Sequence, residues 1–156
     1  MARKLLEGIR VVDITVWFTG PLTTQVLADC GAEVIRIGTA SRTQGGGGGG
    51  RAINKKSITL NFRSPKGLEL AYKLIAKSDV VVENHAAGTL TRRGLGYEDL
   101  RKVKPDIIML STCMQGQTGP YAAHAAFGHM LTLVHDPEFI LVQNRFTLAK
   151  IDCLDH

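Results

Sequence analysis

Short apolar, β-branched runs alternate with helix-like segments along most of this 156-residue chain. The runs at residues 9–14 and 33–37 are typical of buried strands. Between them, Pro21 is well placed as the first residue of a helix and Gly31 as its C-cap. A strand–helix–strand unit of this kind implies parallel strands joined by a right-handed crossover. The alternation therefore predicts an α/β fold, a Rossmann-like parallel sheet with flanking helices.

The same alternation continues further along the chain. Residues 57–62 alternate polar and apolar side chains, which predicts a strand, and Ser64-Pro65 is an N-cap followed by proline at the first helical position. The further predicted elements are a helix at 65–77, a strand at 79–83, short helices at 90–93 and 97–103, and a buried strand at 106–110. After residue 127 no clean period is present. We therefore predict one domain over residues 1–134 and a tail of uncertain structure over residues 135–156.

Six consecutive glycines, residues 45–50, stand within a low-complexity stretch at residues 38–52. A phosphate-binding glycine loop must lie between a strand and the N-terminus of a helix. These glycines lead instead into Arg51 and the residues that precede the third strand. The sequence therefore predicts a flexible loop here, natural or engineered, and gives no glycine fingerprint for a nicotinamide cofactor.

The charge of the chain favours an anionic partner. The formal net charge is +5 and the isoelectric point is about 9.3, which suits nucleic acid or a phosphate-rich small ligand such as CoA. The basic residues occur in short groups, Lys55-Lys56, Arg92-Arg93 and residues 101–104, without interleaved aromatic side chains. No nucleic-acid motif accompanies them, so we expect no nucleic-acid partner and mostly solvated surface charges.

The cysteines and the hydropathy of the chain bear on its compartment. Cys30, Cys113 and Cys153 are dispersed and form no metal-binding spacing with the five histidines. We therefore predict no metal site and a reducing environment. No apolar run reaches the roughly 18 residues of a membrane span. A cytoplasmic location without membrane attachment is the resulting expectation.

Seven sequence runs resemble, in the same order, those of class III CoA-transferases, the CaiB–BaiF family that includes formyl-CoA transferases and 2-methylacyl-CoA racemases. They are LEGIRVVD at 6–13, TGP at 19–21, LADCGAEVI at 27–35, NKKSITL at 54–60, VEN at 82–84, LGYEDL at 95–100 and GQTGP at 116–120. The resemblance covers roughly residues 5–130, the N-terminal part of such a protein. It implies a Rossmann-like domain that holds CoA, an interlocked homodimer, and transfer of CoA between carboxylic acids.

The resemblance also implies CoA contacts at the carboxyl ends of the strands, where ligands bind in open parallel sheets. Leu60 and Arg63 are expected to contact the adenine and phosphate end of CoA. Asn84 and His85 follow the next strand, and Arg92 lies eight residues after Asn84. Both arginines can make forked, charge-assisted bonds to phosphate.

Some positions depart from the family pattern. Trp17 and Phe18, both candidate CoA contacts, stand where formyl-CoA transferases place a glutamine, so we expect Trp17 to pack or to form an apolar wall for the acyl group. The family usually has an aromatic residue at the position of His85. Gly128-His129 stands where racemases have Gly-His-Asp, which makes His129 a candidate for α-proton removal.

The larger departure is the segment after residue 130, where nothing matches the family segment that carries the nucleophilic aspartate. The sequence therefore predicts a class III CoA-transferase that is truncated relative to the family and lacks its catalytic aspartate, and it leaves open whether the chain is an active enzyme. One alternative is a non-catalytic CoA or acyl-CoA binding or interaction module. Another is an acyl-CoA racemase-like protein.

Overall fold

The computed structural model describes residues 4–38, 53–113 and 116–122. All of them belong to one compact unit, Met1–His124. Most of the glycine-rich stretch predicted as a loop, the candidate residue His129, the predicted domain end at residue 134 and the predicted tail at residues 135–156 lie outside the described residues.

The described residues include five parallel strands that form one sheet with the order β3-β2-β1-β4-β5. The strands are β1 (Arg10–Asp13), β2 (Glu33–Gly38), β3 (Lys55–Thr59), β4 (Val80–Glu83) and β5 (Ile108–Ser111). Strand order reverses direction between β1 and β4, so the carboxyl ends of these two strands form a topological switch point, the usual ligand position in such sheets. The predicted α/β class and parallel sheet are confirmed.

In the part of the chain that the structure describes, three helices connect strands: α1 (Thr19–Asp29), α2 (Pro65–Ile75) and α3 (Tyr97–Val103), and a 3-10 turn lies at Thr91–Arg93. α1 begins two residues before Pro21, the predicted start, because Phe18 takes the N-cap position. α2 begins at Pro65 as predicted, after an extended Ser64. The bounds of α3 agree with the prediction.

The core lies on both faces of the sheet because successive side chains of a strand point to opposite faces. One cluster lies under α1, and the other lies under α2 and α3. The first comprises Val11, Ala28, Ala32, Val34 and Val82. The second includes Val12, Ile14, Ile37, Phe62, Ala71, Ile75, Val81, Leu90, Leu95, Leu100 and Ile107. Burial of these side chains contributes about 1.5–3 kcal/mol each for the larger ones.

β3 lies further toward the N-terminus than the predicted strand at 57–62. It pairs with β2 from Lys55 to Thr59. The Leu60 N–H still donates to the Gly38 carbonyl at 3.0 Å. At Asn61 the side-chain oxygen accepts the backbone N–H two residues later at 3.0 Å, and this Asx-type turn ends the strand.

β5 corrects the prediction of a buried strand at 106–110. Ile108 is 62% exposed and Leu110 is 40% exposed. Within the described residues β5 is the last strand of the sheet and pairs only with β4. An apolar run predicts a strand but does not fix its position in the sheet, which is why the sequence overstated the burial.

Candidate functional site

The loop between β1 and α1, residues 14–18, lies at the switch point. Its backbone is fixed from β4, because the Val16 N–H donates to Oδ1 of Asn84 and Nδ2 of Asn84 donates to the Val16 carbonyl, each at 2.7 Å. Asn84 directly follows β4, so one amide side chain joins the two strand ends that flank the switch point. The structure thus brings together two of the regions that the sequence predicted to form the site.

The same loop carries the two aromatic residues predicted to line the site. Trp17 is 49% exposed and Phe18 is 58% exposed. The backbone of Trp17 has φ 63°, a left-handed conformation that is uncommon for a bulky side chain. Both rings therefore lie exposed at the carboxyl edge, the edge of the sheet at which its parallel strands end, and a ligand can reach them there.

A buried ion pair fixes the start of this loop. Nζ of Lys55 lies 3.2 Å from Oδ2 of Asp13, and both side chains are 0% exposed. The Lys55 ammonium also donates to the Pro21 carbonyl and to Oγ1 of Thr24, each at 2.7 Å. Asp13 accepts from Thr24 Oγ1 at 2.6 Å and from the Thr15 N–H at 2.9 Å. The network joins β1, β3 and the first turns of α1.

Lys55 is an exception to the prediction that most of the basic residues are solvated surface charges. Its neighbour Lys56 does fit that prediction, since its side chain is 70% exposed and pairs with Glu33 at 2.5 Å. Successive residues of a strand point to opposite faces, which explains why two adjacent lysines differ so much. The sequence carried no signal for this difference, because the partners of Lys55 come from other elements.

A second buried carboxylate, Glu83, ends β4. It is 3% exposed and its Oε2 accepts the His85 N–H at 2.7 Å, while Gln117 Nε2 donates to Oε1 at 3.1 Å. Burial is the largest influence on the pKa of Glu83 and raises it, but the imidazole and backbone N–H of His85 and the side chain of Ser111 outweigh burial. The pKa of Glu83 therefore lies below its ordinary value of 4.5, and the group is ionised at neutral pH.

His85 is half-buried against this carboxylate. Its Nδ1 lies 3.4 Å from Oε2 of Glu83, and that contact lacks hydrogen-bond geometry, so Nδ1 has no hydrogen-bond partner among the described residues. His85 thus gives the carboxyl edge a polar group beside a buried negative charge.

Glu83 also lines a cavity of about 190 Å³ beside the 3-10 turn. Thr89, Tyr97, Met109 and Ser111 are among the other lining residues. Pockets that enclose drug-sized ligands measure about 300–1,000 Å³. A ligand as large as CoA would place only part of itself in this cavity and the rest along the surface.

The predicted adenine and phosphate contacts follow β3 and β4. Leu60 is partly buried against the larger core cluster, which also contains Leu90. The connection that follows β3 and the connection that follows β4 therefore lie on the same face of the sheet. Arg63 and Arg92 are exposed. Nη2 of Arg92 lies 3.4 Å from Oγ1 of Thr89, a contact weak enough to be exchanged for a phosphate oxygen.

Sequence reasoning missed the buried groups that organise the site, Asp13, Lys55 and Glu83. Asp13 and Glu83 do leave a trace, since each is a charged residue that ends a strand directly after a run of valines. Buried charges require partners, so such a position predicts an ion pair or a set of donors at the strand end.

Within residues 4–38, 53–113 and 116–122, no group of three or more histidine, cysteine, aspartate or glutamate side chains is arranged to hold a metal ion. In the same part of the chain, no helix has the length and apolar character that crossing a membrane requires.

Comparison with known proteins gives consistent matches. A family model described as CoA-transferase family III matches residues 6–134. Succinyl-CoA:glutarate CoA-transferase of Homo sapiens is 39% identical over 144 residues, which cover 84% of this chain and 33% of the human protein. Succinyl-CoA–D-citramalate CoA-transferase of Chloroflexus aurantiacus is 38% identical, with 79% of this chain and 34% of that protein covered.

Solved structures agree with the sequence matches. A CAIB/BAIF family protein from Brucella suis superimposes with a TM-score of 0.76 and 34% identity, over 85% of this chain and 39% of that chain. A protein from Mycobacterium tuberculosis gives a TM-score of 0.73 and 31% identity, over 93% and 41%. The chain spans about a third of the length of the curated relatives that it matches.

Proposed function

Because the chain belongs to CoA-transferase family III, we propose that it binds CoA or an acyl-CoA thioester along the carboxyl edge of its sheet. The observation that carries the proposal is the joining of the β1 loop to the end of β4 at the switch point, through the two bonds between Asn84 and Val16. Ligands of open parallel sheets bind at this position.

The proposed contacts divide by chemistry. Arg63 and Arg92 are exposed guanidinium groups at the surface of the two connections, and they suit the phosphates of CoA through forked, charge-assisted bonds. Trp17 and Phe18 offer apolar surface to the pantetheine or acyl part. Leu60 lies partly buried below the proposed adenine position.

The reaction proposed for the whole protein is transfer of CoA between carboxylic acids through a carboxylate nucleophile. Asp13 and Glu83 do not suit that role, because each buried carboxylate is held by hydrogen bonds within the fold. We therefore assign thioester binding to the described residues and leave the nucleophile to a segment that they do not include. Homodimer formation and a cytoplasmic location remain predictions.

The named substrates of two relatives suggest the acyl class. The human and Chloroflexus proteins are both described as using succinyl-CoA, so we propose a dicarboxylic acyl-CoA, with succinyl-CoA as the first probe. A non-catalytic CoA-binding module is the second candidate, favoured by the engagement of both buried carboxylates, Asp13 and Glu83, in hydrogen bonds within the fold.

Thermal unfolding with added ligand tests the binding proposal. CoA at about 100 times its dissociation constant stabilises the folded state by about 2.7 kcal/mol, and Tm rises accordingly. Arg92→Ala should weaken this shift. Lys77→Ala is the matched control, because Lys77 is an exposed cation between the end of α2 and the start of β4, at the opposite edge of the sheet. A shift with NADH and none with CoA contradicts the proposal.

Mass spectrometry separates the two candidates. The chain is incubated with succinyl-CoA and glutarate, and its intact mass is measured. A covalent acyl or CoA adduct supports transferase chemistry within this chain. An unchanged mass together with a CoA-dependent Tm shift supports the binding module.

A further inference from the structure

We propose that Asn84 is a positioning residue that holds the β1–α1 loop in the conformation that presents Trp17 at the carboxyl edge. The side-chain amide of Asn84 bonds both backbone groups of Val16, at 2.7 Å each. Its carbonyl oxygen accepts from an N–H and its amino group donates to a C=O, so a single orientation of the amide satisfies both bonds. These two bonds form a clamp between Asn84 and Val16, and Asn84 acts on the loop through this clamp.

The residue after this clamp has a strained backbone. Trp17 has φ 63°, which bulky side chains rarely adopt. Strain of this kind persists only where neighbouring groups hold the backbone, and it concentrates at ligand sites. The two bonds from Asn84 restrain the backbone of Val16, which directly precedes Trp17.

Gly20, in the first turn of α1, leaves room for the clamp. A Cβ atom added at Gly20 would lie 2.8 Å from Cγ of Asn84 and would overlap the side chain of Thr15. Thr15 is itself held in place, because its N–H donates to Oδ1 of Asp13 at 2.9 Å. A glycine at position 20 therefore lets α1, the loop and Asn84 approach closely.

A held loop has a consequence for binding. Side chains that are ordered before a ligand arrives lose less entropy when it binds. Loosening the loop should therefore weaken affinity through Trp17 and Phe18, while the phosphate contacts proposed for Arg92 stay in place. The inference rests on the proposed function for the identity of the ligand, and the position of the loop can be measured without any ligand.

Trp17 is the single tryptophan of the chain, so its fluorescence reports on this loop directly. Asn84→Asp keeps the shape of the side chain but removes the donor and sets a carboxylate against the Val16 carbonyl. We expect a red-shifted emission and acrylamide quenching that rises by up to about twofold, since the indole is already 49% exposed. Far-UV circular dichroism should stay unchanged, and CoA affinity should fall by about tenfold.

Asn54→Asp is the matched control. Asn54 is exposed and donates to Asp29 at the far end of α1 at 3.0 Å. Its variant should leave both the fluorescence of Trp17 and the affinity for CoA unchanged. Equal changes in the two variants overturn the positioning role.

The outcomes separate the inference from the proposed function. A change at Trp17 in Asn84→Asp together with loss of CoA affinity supports both. If the Trp17 signal changes in Asn84→Asp but the wild type does not bind CoA, the positioning role is supported and CoA as the ligand is contradicted. An unchanged Trp17 signal in folded Asn84→Asp overturns the positioning role whatever the CoA result.

A wild-type measurement covers the case in which Asn84→Asp does not fold. Hydrogen exchange at the Val16 amide reports its bond to Asn84 Oδ1. Slow exchange at Val16 supports the clamp. Exchange as fast as that of an open loop overturns it.

Discussion

Lys55→Met tests the buried network most directly, because it removes one partner of an ion pair whose side chains are both 0% exposed. The ammonium also donates to Pro21 and Thr24 at 2.7 Å. Methionine is flexible and of similar length, so it fills much of the same space. The substitution therefore removes a charge and its donors while opening little cavity.

The expected loss is large. Removing one partner of a buried ion pair costs about 3–5 kcal/mol, because the other charge is left buried without compensation. Here that charge is the Asp13 carboxylate, which keeps donors from Thr15 and Thr24. A single domain has a total stability of about 5–15 kcal/mol, so Lys55→Met should lose a large share of it.

The adjacent lysine supplies the control. Lys56 is 70% exposed and pairs with Glu33 at the surface, and exposed pairs contribute about 0.2–1 kcal/mol. Urea unfolding followed by circular dichroism gives both midpoints. We expect a much lower midpoint for Lys55→Met than for Lys56→Met.

Equal midpoints in the two lysine variants refute the reasoning. Failure of Lys55→Met to fold agrees with the expected loss, and a double variant then decides the cause. Asp13→Asn combined with Lys55→Met replaces the uncompensated carboxylate by a neutral amide. The double variant should be more stable than Lys55→Met alone, and a less stable one contradicts the electrostatic explanation.

Three further predictions concern Glu83, Gly67 and Tyr72. Because the pKa of folded Glu83 lies below 4.5, its stabilisation is complete above about pH 4.5 and is lost as the pH falls through the folded pKa; a Glu83→Gln variant should show a flatter fall of Tm with acid than the wild type. A Cβ at Gly67 would overlap the backbone carbonyl of Asn61, so Gly67→Ala should cost about 1–3 kcal/mol in urea unfolding, and an unchanged midpoint argues against the close approach. Tyr72 donates its hydroxyl to the Gly94 carbonyl; Tyr72→Phe should cost about 0.5–1.5 kcal/mol, and a more stable variant contradicts that bond.

Much of the fold followed from local patterns. The bounds of α3 and the start of α2 at Pro65 agree with prediction because proline and glycine act on their own backbone, whereas Ser64 takes the N-cap position without a side-chain capping bond. The displaced β3 and the exposed β5 did not follow in the same way. Pairing partners and edge positions depend on residues distant in the sequence.

In the candidate site, too, some features followed from local motifs and others depended on residues distant in the sequence. The motifs placed Trp17, Asn84 and Arg92 near the carboxyl ends of strands, and the structure joins the loop of the first to the side chain of the second. The motifs did not show that the Asn84 side chain is bonded to backbone groups. Nor did they show that Arg92 is an exposed cation. That distinction depends on the contact between Val16 and Asn84, which are 68 residues apart in sequence.

The sequence by itself determined the alternation of strands and helices, the parallel class of the sheet and the family, because each rests on short-range periodicity or on ordered motifs. Only the tertiary structure decided that Lys55 is buried and Lys56 exposed, and that Glu83 is an ionised group inside the fold. The physical reason is that burial and pKa depend on the groups that surround a side chain in space. Those groups come from elements that the fold brings together.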